Sequence, residues 1–192
     1  LATPLFAEGT TEKGPMKVGV FVPGVAAGSP LYEQLVSGAN KVAAEFPSLT
    51  IKVVEAGFDQ SKWPEQMMAL AATQEYAWIL TSNPSLPAVC KDVFAAFPKQ
   101  KFIFMDGYLT GNPMTYSVMY NQVEQGYMAG YLAGLVTKSS MKGATPDLKV
   151  GAIVAQEYPA LTVEMIPGYT QGFKAVVPAI TLDYRVIGNW WD

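Results

Sequence analysis

The chain has 192 residues, half of them apolar, and a formal net charge of −3 at pH 7. That is enough apolar sequence for one large domain, or for one domain and part of a second. Lysine and arginine are scattered singly, which excludes the basic stripe of a nucleic-acid-binding protein and the polybasic patch of a membrane-surface protein. We therefore expect no nucleic acid among its partners.

The residue types that most enzymes use are scarce. The sequence has no histidine, which removes the Ser-His-Asp triad, the usual general base and the commonest transition-metal ligand. Its one cysteine, Cys90, lies in an apolar helical pattern and is expected to be a small buried core residue. A carboxylate-pair hydrolase and a Ser-Lys dyad remain formal alternatives, but no two acids stand at a recognisable catalytic spacing. We predict no catalytic residue, no metal ligand and no cofactor.

Residues 1–16 begin with an apolar stretch that ends in a small residue, Ala7, and continue with polar residues. This order is typical of the end of a secretory signal followed by a linker. The alternative is an apolar terminus without a targeting role. We favour export to the periplasm or the cell surface, and leave membrane tethering open.

A strand, a glycine-bearing loop and a helix come next. The apolar run at 17–22 is typical of a parallel strand buried on both faces, and a proline-glycine pair ends it. Ser29 and Pro30 predict the N-cap and the first position of a helix that continues to about Glu45. The apolar side of this helix is expected to hold Leu31, Leu35, Val36, Ala39, Val42 and Ala43.

The alternation of strand and helix then continues along the chain. Strands that alternate with helices across short loops predict a parallel, doubly wound α/β sheet with right-handed crossovers. The further predicted strands lie at 49–55, 77–82, 101–105 and 115–120, and the further helices at 62–75 and 86–97.

A glycine-containing helix follows the fifth predicted strand. Asn121 is its expected N-cap, and Gly126, Gly130 and Gly134 lie on one face at a spacing of four. Each glycine lowers helix stability by up to ~1 kcal/mol, so three on one face indicate close packing on the sheet or on another backbone. A membrane dimerisation face is the alternative, but polar residues flank too short an apolar run.

The predicted domain organisation has four parts. Beyond the glycine-containing helix, a polar linker is followed by a strand, a helix interrupted at Pro167 and Gly168, and a further strand. One such unit cannot close a core of its own, so a second lobe is only partly present. The parts are a signal remnant and linker at 1–16, a first α/β lobe at 17–137, a linker at 138–147 and the start of a second α/β lobe at 148–192.

Candidate binding residues lie where the strands end, because open α/β sheets place ligands at the carboxyl ends of their strands. Aromatic side chains at such a site offer faces for stacking, and polar side chains offer hydrogen bonds to the edges of a buried solute. For the aromatic candidates the alternative role is core packing, and for Asp106 it is capping a turn. The aromatic candidates are Tyr32, Tyr120, Tyr158 and Trp190, and the polar candidates are Asn83, Asp106, Asn121 and Gln156.

Four segments carry a resemblance to a known family. They are Lys101-Phe-Ile-Phe-Met-Asp106, Tyr120-Asn-Gln-Val-Glu-Gln-Gly-Tyr-Met-Ala-Gly-Tyr-Leu-Ala-Gly134, Lys149-Val-Gly-Ala-Ile-Val154 and Ile166-Pro-Gly-Tyr-Thr-Gln-Gly-Phe-Lys-Ala175. In this order they resemble the basic membrane protein (BMP) family, the PnrA-like substrate-binding proteins of ABC importers. The resemblance implies a periplasmic-binding-protein-like fold, in which two α/β lobes joined by a hinge close on a small molecule. It also implies an ABC permease in the inner membrane as the partner, and we expect a monomer.

The resemblance also bears on the ligand, since family members bind purine nucleosides and one branch binds riboflavin. When the sequences are aligned on Gly38, Leu31 and Tyr32 stand where the family carries an aromatic residue and an asparagine, and the family's acidic group is absent. These replacements favour a larger, neutral ring system. Riboflavin is therefore the expected ligand, as a transported solute and not a cofactor, with a purine nucleoside as the alternative. The competing hypotheses from other classes are a nucleoside hydrolase and a regulatory or surface protein that reuses the fold.

Overall fold

The computed structural model of the chain describes residues 14–142, 144 and 147–190. The predicted signal remnant lies almost entirely outside the described residues, as does part of the predicted linker at 138–147. No helix within these described ranges is both long and apolar enough to cross a membrane.

Five parallel strands form the larger sheet, in the order β2-β1-β3-β4-β5. The interior strand β1 ends in residues that are buried on both faces, as the apolar run predicts. This sheet confirms the parallel, doubly wound fold. Its strands are β1 (Met16–Val22), β2 (Leu49–Glu55), β3 (Trp78–Ser82), β4 (Lys101–Met105) and β5 (Thr115–Val118).

Helices cover both faces of this sheet. The two-residue period of β1 sends Val20 and Val22 into a core beneath α1, and sends Phe21 into the core on the opposite face, which α2 and α4 cover. We call β1–β5 with these helices the first unit. Its helices are α1 (Pro30–Glu45), α2 (Trp63–Ala72), α3 (Leu86–Val89) and α4 (Lys91–Ala96), and a 3₁₀ turn at Gln60–Lys62 precedes α2.

The prediction for α1 is right in its bounds and wrong in part of its buried side. Tyr32 lies under the helix against the sheet, so Leu31, about 100° away around the axis, is 52% exposed. Val42 is exposed as well. Ser29 occupies the N-cap position, but its side chain forms no capping hydrogen bond. The Ser29 carbonyl accepts the first helical bond from the Glu33 amide, and the Glu33 carboxylate accepts from the Gly28 amide.

The predicted helix at 86–97 is two short helices, α3 and α4. They meet at Cys90, whose backbone (φ −82°, ψ 3°) leaves the helical range. Its side chain is fully buried, which confirms the predicted core role, and this burial raises the pKa of the thiol to about 12.

A second unit comprises α5, β6, a π-helical turn, α6 and β7. Its two parallel strands form a separate sheet whose core contains Val150, Phe173 and Ile180. The predicted interruption at Pro167 and Gly168 is wrong. The chain stays helical from the π-helical turn into α6 and continues through Pro167 and Gly168, and the change from π-helical to α-helical backbone falls directly before Ile166. The elements are α5 (Gln122–Lys138), β6 (Lys149–Val154), the π-helical turn (Ala160–Met165), α6 (Ile166–Val176) and β7 (Thr181–Val186).

Helix α5 packs on α6, the π-helical turn and β6. A Cβ atom at Gly126 would overlap the carbonyl of Met165, and one at Gly130 would overlap the carbonyl of Tyr169. This confirms the predicted close approach of the glycine face to another backbone. The sequence places α5 at the end of the first lobe, whereas its contacts tie it to the second unit, and residues 119–121 cross between the two. The predicted boundary at 138–147 stays a prediction.

Replacing Gly130 by alanine should separate α5 from α6 and lower the free energy of unfolding by about 2 kcal/mol or more, because the new methyl group meets backbone that cannot move aside. Urea unfolding measures the loss. Gly38→Ala is the matched control, since Gly38 lies in exposed helix with nothing near its would-be Cβ, and alanine there should add about 0.5–1 kcal/mol. Equal stability of the two variants would contradict the packing argument.

Candidate functional site

The two units enclose a cavity of about 330 Å³ at the carboxyl ends of their strands. We call it the interunit cavity. A cavity of about 430 Å³ beside the ends of α2 and α4 is formed by the first unit alone. The interunit cavity is the better candidate site, because strands of both units bring polar and aromatic side chains to it. It is lined by Pro84, Asp106, Tyr108, Met119, Tyr158, Pro159, Ala160, Val163 and Glu164.

Asp106 follows β4 and lines the wall of the cavity that the first unit provides. Its backbone is left-handed (φ +59°), a conformation that few residues other than glycine, asparagine and aspartate adopt readily. The side-chain amide of Gln122 donates a hydrogen bond to its Oδ1 at 2.8 Å. Burial raises the pKa of the Asp106 carboxyl, and the bond from Gln122 partly offsets that rise. The sequence-predicted carboxylate is therefore at the cavity, held by a residue that the sequence did not single out.

Tyr158 follows β6 and lines the opposite wall. One face of its ring packs against Trp190, with the ring centroids 6.2 Å apart and the planes 27° from parallel. Burial raises the pKa of the Tyr158 hydroxyl, and the negative charge of Asp106 raises it further, as does that of Tyr184 once Tyr184 ionises. The two predicted aromatic residues thus form one stack, of which Tyr158 is the member that lines the cavity.

A chain of polar side chains joins the units beside this stack. Gln156 Oε1 accepts from Gln60 Nε2 and from Ser85 Oγ, each at 3.4 Å, and Gln156 Nε2 donates to the Gly188 carbonyl. Trp190 Nε1 donates to Ser85 Oγ at 3.2 Å. These long, neutral hydrogen bonds span the interface, so Gln156 and Trp190 contact the first unit directly.

Tyr32 and Asn83 lie together behind the site. Both are buried, and Asn83 Oδ1 accepts from the Ser85 amide at 2.8 Å, which shapes the loop after β3. Burial raises the pKa of the Tyr32 hydroxyl, and its interaction with Asn83 partly offsets this. The predicted pair therefore supports the loop that carries Ser85, and its side chains are not among those that line the interunit cavity.

Of the nine predicted site residues, only Asp106 and Tyr158 line the cavity, and three of the others take no part in the contacts described above. Leu31 is exposed on α1, and Tyr120 is 51% exposed on the crossing between the units. Asn121 caps α5, accepting a hydrogen bond from the Glu124 amide at 3.1 Å, which confirms its predicted capping role.

Sequence reasoning missed several residues of the site. Tyr108 and Glu164 line the cavity, and Gln122 and Gln60 make the polar contacts described above. Ser85, in the loop after β3, contacts both Gln156 and Trp190. Gln122 had one available signal, its position directly after a predicted helix cap. Within the described part of the chain, no three histidine, cysteine, aspartate or glutamate side chains gather as a metal site would require.

The chain is similar in sequence to a known protein family and similar in fold to several solved structures. A sequence model of the family described as ABC transporter substrate-binding protein PnrA-like (Bmp) matches residues 16–192. A solute-binding protein of an ABC transporter system from Aeropyrum pernix K1 is similar in structure with a TM-score of 0.72 and 18% identity, over 90% of this chain and 47% of that chain. At 18% sequence identity, the similarity between the two structures is one of fold alone.

Two further structures share the fold. The Caulobacter myo-inositol binding protein bound to myo-inositol has a TM-score of 0.61 and 18% identity, over 92% of this chain and 57% of that chain. A putative LacI transcriptional regulator from Bacteroides fragilis has a TM-score of 0.64 and 13% identity, over 91% of this chain and 61% of that chain. The chain thus spans roughly half to three fifths of the length of the structures it matches.

Replacing Asp106 by asparagine is expected to stabilise the fold at neutral pH. Because the folded-state pKa of the carboxyl is raised, its ionisation lowers stability as the pH rises through that pKa. Asparagine carries no charge, retains an acceptor for Gln122 and adopts left-handed backbone readily. The free energy of unfolding in urea should be higher for Asp106→Asn than for the parent at pH 7, and the difference should shrink as the pH falls below the pKa of an unfolded aspartate.

The control for this experiment is Asp147→Asn, which changes an exposed carboxylate outside the site. It should leave stability nearly unchanged at both pH values. An Asp106→Asn variant that is less stable than the parent at pH 7 would contradict this prediction, because it would show that the carboxylate raises the free energy of unfolding.

Proposed function

The chain belongs to the PnrA-like family of ABC transporter substrate-binding proteins, and from this premise we propose that it captures a flat nitrogen heterocycle outside the cytoplasm. The captured solute is passed to an ABC permease in the membrane. The observation that carries the proposal is the interunit cavity, where an aromatic side chain of one unit, Tyr158, lies across from a carboxylate of the other, Asp106. Such a site offers a ring face for stacking and an acceptor for a ring N–H.

The polar groups of the cavity support a ligand with hydrogen-bond donors on its edge. Asp106 and Glu164 both line it, and an ionised carboxylate accepts hydrogen bonds only. A guanine edge presents a ring N–H and an amino group side by side, and these two donors suit a wall that is lined by carboxylate acceptors. An isoalloxazine edge presents one N–H between two carbonyls, and a carboxylate repels these. The acceptor-rich wall therefore favours a purine nucleoside as the solute.

Riboflavin is the second candidate. The sequence-based preference for it depends on Leu31 and Tyr32 at the ligand, and these side chains lie on the exposed face of α1 and beneath α1 instead. What still supports a flavin is the aromatic stack of Tyr158 and Trp190 beside the cavity, because a large ring system gains the most from stacking.

Capture without turnover is the mode of action we propose, in place of nucleoside hydrolysis. The crossing at 119–121 is the covalent link between the units beside the site, so a change in its backbone would open or close the interunit cavity. A solute that contacts both walls binds the closed arrangement more tightly than the open one. The ratio of these two affinities decides how far the solute shifts the equilibrium toward the closed arrangement. Release to the permease then requires only that the units part.

The ligand class can be tested on the purified chain. We expect stoichiometric, reversible binding of guanosine or inosine in calorimetry, unchanged nucleoside on recovery, and no flavin absorption band in the protein as isolated. A yellow protein that releases riboflavin in acid would establish the second candidate. Release of free base and ribose would establish the hydrolase and overturn the proposal.

Truncating the stacking residue should weaken binding. Tyr158→Ala removes the ring that lines the cavity and is expected to reduce the affinity for guanosine by about 1 kcal/mol, roughly fivefold, as measured by calorimetry. Tyr116→Ala, which removes an exposed tyrosine from the edge strand β5, is the matched control and should bind as the parent does. Equal affinities for the two variants would place the ligand elsewhere.

A further inference from the structure

Gln122 is the most deeply buried polar side chain near the interunit cavity that the proposed function leaves unused. It is 2% exposed and begins α5, so it enters the site from the second unit. Its Nε2 donates to Asp106 Oδ1 at 2.8 Å, while its Oε1 is buried without a hydrogen-bond partner among the described residues. A buried amide oxygen without a partner destabilises the fold, so packing alone is a poor account of a glutamine here.

The bond from Gln122 acts on one oxygen of the Asp106 carboxylate. Rotation of an aspartate side chain about its last torsion is broad when nothing holds it. With Oδ1 fixed by Gln122, the torsion is fixed too, and Oδ2 accepts no hydrogen bond within the described residues. Asp106 lines the cavity, so the second oxygen is the one left for a solute.

The surroundings of Asp106 make a neutral donor important. The titratable groups that share the cavity wall are Tyr108 from the loop after β4, Tyr158 from the loop after β6 and Glu164 from the π-helical turn. Tyr184 on β7 interacts electrostatically with Tyr158 from behind. No lysine or arginine stands among the described residues that line this cavity, so Gln122 supplies the fixed donor beside the charge.

We propose that Gln122 is a positioning residue, which orients the Asp106 carboxylate so that its second oxygen accepts a hydrogen bond from the ring N–H of the solute. This inference rests on the proposed function for the identity of the solute and on geometry for the role of Gln122. Because Gln122 begins α5, the carboxylate is correctly oriented only while the first turn of α5 stays against the end of β4. The bond thereby ties the recognition group of one unit to the position of the other.

The first test needs no ligand. In protein labelled with ¹³C at aspartate carboxyl carbons, the Asp106 signal is assigned by its loss in Asp106→Asn and then titrated. Gln122→Met removes the donor at nearly constant volume and should move the midpoint of Asp106 to higher pH, because the ionised form loses its hydrogen bond. Gln122→Glu adds a negative charge and should move it further. Gln125→Met, on an exposed position of the same helix, should leave it unchanged.

The second test measures guanosine binding by calorimetry at pH 7. Gln122→Met should weaken it about fivefold, the size of effect expected from one misoriented hydrogen bond, while Gln125→Met should not. In an Asp106→Ala background, which has no acceptor for Gln122, the same substitution should have no further effect, since its action passes through the Asp106 carboxylate. An Asp106 midpoint that is unchanged in both Gln122 variants would overturn the proposed role.

The two tests separate the possible failures. If the Asp106 midpoint shifts as expected but neither guanosine nor riboflavin binds, the positioning role stands and the proposed function fails. If guanosine binds equally to the parent and to a folded Gln122→Met variant, the positioning role fails and the proposed function stands. Circular dichroism and urea unfolding of each variant establish that the chain is folded in both measurements.

Discussion

The contact between the backbones of α5 and α6 is the constraint on which the candidate site depends. Gly126 and Gly130 lie against carbonyl groups of the facing chain with no space for a Cβ atom. Helices packed this closely cannot slide past one another without a clash, because protein interiors have almost no free volume. The N-terminus of α5 and the segment between β6 and α6 are therefore held at a fixed separation. Gln122 begins the first and Tyr158 lies in the second, so both reach the end of β4 together.

Asp106 shows how binding and stability conflict at this site. Its half-buried carboxylate and the orphaned amide oxygen of its partner Gln122 each lower the stability of the folded chain. A solute with N–H donors would satisfy the carboxylate, so the arrangement is more favourable with the cavity filled than empty. Features of this kind are expected where a protein is organised for a ligand and not for its own fold.

The sequence predicts what local chemistry determines. The two-residue period of β1, the cap at Asn121 and the alternation of strand and helix each depend on neighbouring residues, and the structure has them. Leu31 and Tyr32 differ by one helical position, and only the sheet beneath α1 decides which of them is buried. The partner of the glycine face of α5 is equally non-local, since it comes from α6. Gln122 and Ser85 were missed as site residues because their partners, Asp106, Gln156 and Trp190, are distant in the chain.

The polar contacts between the units suit an interface that opens and closes. Gln60, Ser85 and Gln156 interact through neutral hydrogen bonds of 3.4 Å, which water can replace at little net loss. Such contacts orient the two walls of the cavity without fixing them. The bond between Gln122 and Asp106 is shorter and involves a charged acceptor, so it is the stronger of these contacts. An opening motion that kept this bond would leave the recognition group of the first unit correctly oriented for the next solute. The crossing at 119–121 lies between β5 and α5, and Gln122 is the residue next to it. Because Gln122 is so close to the bend, a small rotation there moves Gln122 little, whereas it changes the distance between Asp106 and Tyr158 more.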